Sequence, residues 1–180
     1  KQIVTWGSKP FKNTRNDVTY HHCPTEYELL TSFINYWMQD VPDVITGWNI
    51  QLFDIPYICK RLQRVLGEKL MKRFSPWGLV SEGEIHVMGR THIVFDVGGV
   101  TQLDYIDLYK KFTYKAQESY RLDYIAQVEL GQKKLDHSEF ETFKDFYTKG
   151  WQKFIEYNII DVELVDRLED KMKLIELALT

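Results

Sequence analysis

A switch from strand to helix across residues 44–57 constrains this chain more than any other feature. An apolar strand carrying Val44 and Ile45 runs into Gly47-Trp48-Asn49, and Asp54-Ile55-Pro56 then opens a helix to about residue 66, with Gly67 as its stop. In α/β folds, the point where a strand feeds a helix is where ligands bind. The loop therefore delivers Asn49 and the carboxylate of Asp54 to a sheet rim. Aspartate is also a favoured helix N-cap and proline suits the first turn, so Asp54 can cap the helix, bind a ligand, or both.

The flanking pattern extends this to a layered α/β chain. Residues 2–6 and 18–22 alternate as two strands, read as a hairpin-like start around a polar loop. Thr25 and Glu28 stand at capping-box spacing ahead of a helix whose apolar face is Tyr27, Leu30, Ile34, Trp37 and Met38. Residues 67–83 read as a short helix and a loop around Pro76, Gly78 and Gly83. Met88-Gly89-Arg90 marks the turn of a β-hairpin spanning about 84–97. A strand at 100–103 follows, then helices at 104–112, 122–128 and 140–146, and a last helix over 151–177.

Composition narrows the function classes. A length of 180 residues fits one domain with a sizeable core, and a net charge of −3 argues against a protein that coats duplex nucleic acid. The basic runs Lys60-Arg61 with Arg64, Lys69 with Lys72-Arg73, Lys110-Lys111 and Lys133-Lys134 read as solvated helix faces. Neither a membrane-spanning apolar window nor a signal peptide is present. Cys23 and Cys59 lack metal-site spacing and suit free thiols in a reducing, intracellular setting. His21 and His22 are neighbours on a strand, face opposite ways and cannot chelate together. A first residue of Lys1 rather than methionine reads as a piece of something longer.

Asp161 is the second carboxylate of interest. Phe154, Ile155, Ile159, Ile160, Val162, Leu164 and Val165 surround it in sequence, which predicts a buried helix. A buried carboxylate needs a cation. A salt bridge to Arg61 or Lys134 is one solution and a metal ion is the other. Tyr157, one turn earlier on the same face, can converge with Asp161 on one water.

These residues resemble two motifs of the 3′→5′ exonuclease domain of family B DNA polymerases. Asn49-x-x-x-Phe53-Asp54 is similar to the second exonuclease motif and Tyr157-x-x-x-Asp161 to the third. The runs Ile45-Thr46-Gly47-Trp48-Asn49, Phe53-Asp54-Ile55-Pro56-Tyr57-Ile58, Leu103-Asp104-Tyr105-Ile106-Asp107-Leu108-Tyr109-Lys110-Lys111 and Tyr157-Asn158-Ile159-Ile160-Asp161-Val162 are most similar to polymerases of T-even-like bacteriophages. The resemblance covers essentially the whole chain. It implies a ribonuclease H-like fold, a mixed sheet flanked by helices, with one partial domain over residues 1–180 and an inserted hairpin. The implied activity is proofreading, hydrolysis of a mispaired nucleotide from the primer 3′ end, with two Mg2+ or Mn2+ ions.

On the same footing, Asp161 and Asp54 are metal ligands, Tyr157 orients the attacking water, and Asn49, Phe53 and Lys134 contact the single-stranded primer end. Met88, Gly89 and Arg90 form the tip of a strand-separating hairpin. The implied partners are single-stranded DNA and the rest of a polymerase chain, in the cytoplasm of a phage-infected bacterium.

The family's first motif, Asp-x-Glu on a central strand, has no counterpart. The only D-x-E here is Asp161-Val162-Glu163, on a helix, where residues two apart diverge. The expectation is a fragment with its first central strand missing, inactive alone, binding metal weakly, and with an exposed sheet edge open to self-association. The other reading is a non-catalytic module of a split or degenerate polymerase that binds single-stranded DNA or protein.

Overall fold

The computed structural model of the chain describes residues 1–87, 89–132 and 142–180. The chain divides into two compact units, Thr25–Leu108, and Lys1–Pro24 with Tyr109–Thr180.

Unit Thr25–Leu108 begins with α1 (Glu26–Trp37). The predicted capping box is formed: Thr25 Oγ1 accepts from the Glu28 N–H at 3.2 Å, and the Glu28 carboxylate accepts from the Thr25 N–H at 3.0 Å. Thr25→Ala is expected to cost about 1 kcal/mol, read as a lower urea midpoint; an unchanged midpoint would show that the box contributes nothing.

Strand β3 (Val44–Gly47) leads to α2 (Asp54–Leu66), which ends at Gly67 with φ +86°. A short α3 (Glu68–Met71) and one 3-10 turn (Lys72–Phe74) follow. Strands β4 (Val80–Val87) and β5 (Arg90–Val97) form the expected hairpin, but longer than residues 84–97, since pairing starts at Val80↔Val97 and puts Gly83 opposite Val94. Gly89 has φ +75°, the left-handed conformation a tight hairpin turn requires; Met88 lies outside the described residues. Strand β6 (Thr101–Asp104) pairs parallel with β3, from Val44↔Thr101 to Gly47↔Asp104, and runs directly into α4 (Tyr105–Phe112). The core gathers Ile34 of α1, Ile55, Cys59 and Leu62 of α2, Phe74, and Phe95 and Val97 of β5. Complete burial pushes the Cys59 thiol up to about 12, so it behaves as a small hydrophobe; both cysteines are free and buried.

The other unit corrects an expectation. Strands β1 (Ile3–Gly7) and β2 (Val18–His22) pair parallel, from Ile3↔Val18 to Gly7↔His22, and do not form a hairpin. The intervening segment is long enough to travel back along β1, and it is anchored on that return path. Gln152 bonds both the N–H and the carbonyl of Lys12 (3.0 and 3.1 Å), Tyr20 Oη donates to the Lys9 carbonyl (2.5 Å), and Asn13 Nδ2 donates to the Val18 carbonyl (2.6 Å). The chain re-enters at the start of β1, where the Ile3 N–H donates to Asp17 O at 2.9 Å.

Helices α5 (Leu122–Leu130), α6 (Phe143–Lys149), α7 (Trp151–Met172) and α8 (Leu174–Leu179) complete the unit. The single final helix expected over 151–177 is broken at Lys173, which takes a left-handed φ of +56°. Glu169 makes the break tolerable, because its carbonyl accepts from the Lys173 N–H and its carboxylate accepts from the Ile175 N–H at 3.1 Å. Ile155 and Ile159 of α7 pack with Val18 and Phe11.

The α/β class holds, but the described strands form three two-stranded sheets and not one mixed sheet. Within the first unit the reason is local. The Gly98-Gly99 turn, tied by Gly98 N to Leu79 O at 2.8 Å and carrying φ +86° at Gly99, redirects the chain between β5 and β6. No described helix is long and apolar enough to cross a membrane.

Candidate active site

The loop between β3 and α2 carries Asn49, Phe53 and Asp54, and one buried carboxylate holds it. Asp104, at the end of β6, accepts from the backbone N–H of Asn49 at 2.8 Å through Oδ1 and of Gln51 at 3.0 Å through Oδ2; its Oδ1 also accepts from Ile106 at 3.3 Å. Asn49 itself sits at φ +67°, a left-handed conformation that asparagine tolerates better than most side chains. Gly47 is required here: a Cβ on it would lie 2.6 Å from the Ile50 side chain. Burial raises the Asp104 pKa despite the three donors.

Asp54 is the first residue of α2; the N-cap position falls on Phe53, where no side-chain capping bond forms. Asp54 thus stands one position inside the helix, with its carboxylate at the exposed start. Desolvation by its surroundings, then the nearby Asp104 charge, raise its pKa; because the residue is solvent-exposed, the shift carries no stability argument. Beside it, Phe53 and Tyr57 are both exposed, at 64% and 59%, and their rings lie parallel within 7° at 6.2 Å between centroids. Two solvent-facing aromatic faces next to a carboxylate suit an unpaired base. From sequence, Tyr57 stands out only as part of the Phe53–Ile58 run.

In the other unit, α7 places Tyr157 and Asp161 one turn apart, both half-buried. The Tyr157 ring is held edge-on to Phe146, 5.5 Å between centroids at 89°. The segment is less enclosed than its apolar sequence predicts: Val162 is 61% exposed and Asn158 faces solvent, because the helix turns one side outward. Arg61, a candidate salt-bridge partner for Asp161, is engaged in a bidentate pair with Glu26. Glu163 accepts from Arg15 at 2.5 Å, in keeping with its divergence from Asp161. Lys134 lies outside the described residues, as does Met88; Gly89 and Arg90 stand at the hairpin turn.

Carboxylates are the right donors for a hard divalent cation, but their number falls short. Asp104 is committed to backbone donors, leaving Asp54 in one unit and Asp161 in the other. Among the described residues no group of three or more His, Cys, Asp or Glu comes together as a metal site. The described residues do not by themselves fit a metal centre.

The structure is thus an α/β protein with a carboxylate and exposed aromatics at the β3–α2 junction of one unit and a Tyr-x-x-x-Asp helix in the other. The chain belongs to the family described as DNA polymerase family B, exonuclease domain, which matches residues 2–125. Tyr157 and Asp161 lie beyond that match. Among curated relatives, the DNA-directed DNA polymerase of Enterobacteria phage T4 is 39% identical over 163 residues, covering 91% of this chain and 18% of that protein. That of Escherichia phage RB69 is 38% identical over 162 residues, covering 90% and 18%. DNA polymerase 037L of Invertebrate iridescent virus 6 is 33% identical over 176 residues, covering 89% and 14%. The chain thus spans under a fifth of the length of these relatives.

Proposed function

We propose that these residues are part of the proofreading 3′→5′ exonuclease domain of a phage-type DNA polymerase, with a ribonuclease H-like fold. The observation that carries the reading is the family match over residues 2–125, which includes the clamped loop presenting Asn49, Phe53 and Asp54. The substrate is the single-stranded 3′ end of a primer, and the reaction is hydrolysis of its terminal phosphodiester in the bacterial cytoplasm. Phe53, with Tyr57 beside it, receives an unpaired base, and Asn49 contacts sugar or phosphate. Asp54 and Asp161 contribute carboxylates to Mg2+ or Mn2+ ions, which supply charge stabilisation to the phosphoryl transfer. Tyr157 orients the attacking water. Lys134 approaches the phosphate, and the hairpin ending in Met88, Gly89 and Arg90 helps part the primer from its template.

The remaining ligands are an Asp-x-Glu pair on a central strand; the one D-x-E of these 180 residues, Asp161-Val162-Glu163, lies on α7, so the chain alone is proposed to be inactive. The test is a chain joining these residues to an Asp-x-Glu strand of a relative, assayed on 3′-labelled single-stranded DNA. Stepwise release from the 3′ end in magnesium or manganese, and none in EDTA, is the expected result; no release under either condition sinks the reading. Self-association through an unpaired strand edge is part of the same proposal for the isolated chain, and a monomer by light scattering rejects it.

A further inference from the structure

The turn after the 3-10 segment holds a tryptophan in a fixed place on an acidic surface. Ser75, 3% exposed, is the hub of the turn: its hydroxyl donates to Gly98 O at 2.6 Å and accepts from the N–H groups of Trp77 (3.1 Å) and Leu79 (3.0 Å). Trp77 is nevertheless 71% exposed. Its indole rests against Gly99, where a Cβ would stand only 3.2 Å from two ring atoms. The ring is thus seated on backbone while most of its surface is open to solvent.

Trp77 lines an open cleft of about 750 Å³ that also carries Asp43, Gln51, Asp96, Thr101 and Gln102. Both carboxylates are exposed, and neither has a side-chain partner among the described residues. The backbone fixes each of them. Phe95 and Val97 point into the core, so Asp96 between them stands on the opposite, outward face of β5. The Asp43 carbonyl accepts from the Thr101 N–H at 2.8 Å, which holds Asp43 beside the start of the β3–β6 pair. No lysine, arginine or histidine is among the described residues that line this cleft.

An aromatic face in a cleft whose charged lining groups are carboxylates attracts positive charge and repels phosphate. A guanidinium suits it better than an ammonium, because it is planar, stacks on an indole and keeps its edge N–H groups for a carboxylate. The cleft is larger than one side chain, and Gln51 and Thr101 add uncharged polar groups that suit a peptide backbone. We propose that this cleft docks an extended protein segment that presents arginine. Trp77 stacks an arginine, and Asp43 and Asp96 pair with basic groups of the same segment.

The inference does not depend on the exonuclease reading, and its test is independent of hydrolysis. A fluorescein-labelled pentapeptide alternating glycine and arginine, and its lysine counterpart, are each titrated with the chain, with anisotropy as the readout. The parent chain binds the arginine peptide about fivefold more tightly than the lysine one. Trp77→Ala removes that preference and Trp77→Phe keeps part of it. Asp43→Asn and Asp96→Asn combined weaken both peptides about tenfold and flatten the salt dependence. All three positions are exposed, and circular dichroism verifies the fold. Equal affinity for the two peptides, or Trp77→Ala within twofold of the parent on the arginine peptide, overturns the proposal. Binding of oligo-dT that Trp77→Ala weakens would assign the cleft to nucleic acid, and a dimer that Trp77→Ala dissociates would assign it to a second copy; either result also overturns it.

Discussion

Asp161→Ala is expected to reduce 3′→5′ hydrolysis by the completed domain by at least about 10³-fold, with little change in stability. A carboxylate that holds a metal at a phosphoryl-transfer centre contributes several kcal/mol to the transition state, and about 1.4 kcal/mol is tenfold in rate. The structural cost is small because Asp161 is only half-buried, while Ile155, Ile159, Leu164, Val165 and Leu168 provide the buried side of α7. Tyr157→Phe separates positioning from ligation: the ring keeps its edge-on seat against Phe146 and loses only the hydroxyl, so activity should fall about 10²-fold. Initial rates on a 3′-labelled single strand decide this. Full activity in Asp161→Ala would refute the assignment, and a Tyr157→Phe loss as large as that of Asp161→Ala would mean that Tyr157 does more than orient water.

How much of this was legible depends on whether the signal is local. The Thr25–Glu28 capping box, the Gly67 stop and the Gly89 turn were all readable, because each is decided by residues three or four apart or by one φ that glycine supplies. The direction of β2 was not. Whether residues 8–17 fold back as a hairpin or cross over is decided by Gln152 and Tyr20, and Gln152 is some 140 positions away in sequence. The break at Lys173 was equally hidden, since neither glycine nor proline marks it and the compensating acceptor is Glu169.

At the β3–α2 loop, Asn49 and Asp54 stand out by their place where strand passes into helix, and Phe53 enters only with the family resemblance. Asp104 does not stand out, although it lies inside one of the runs that carry the family resemblance, because an aspartate at a strand-to-helix junction reads as an ordinary cap. It does accept from Ile106 two residues on, as such a cap would. Its two shorter bonds reach across to a loop more than fifty residues earlier, and only the β3–β6 pairing brings them within reach.

Asp104→Ala is therefore expected to damage the fold of unit Thr25–Leu108 as much as truncating a core side chain would, at about 3 kcal/mol. Three backbone donors lose a charged acceptor at once, and a buried donor left unsatisfied costs about 1–3 kcal/mol. For a chain of this length that lowers the melting temperature by roughly 6–12 °C. Asp104→Asn does not rescue it: one amide oxygen can still accept, but the amide N–H₂ then faces a backbone N–H that Oδ1 or Oδ2 had satisfied. An exposed surface aspartate would give the opposite pattern, with both substitutions within about 0.5 kcal/mol of the parent. Thermal and urea denaturation distinguish the two outcomes. The same substitution also releases Asn49 from its left-handed conformation and frees the loop ahead of Asp54. The completed domain carrying Asp104→Ala should thus lose exonuclease activity even at temperatures where it remains folded. Hydrolysis at the parental rate by folded protein would show that the clamp serves stability alone.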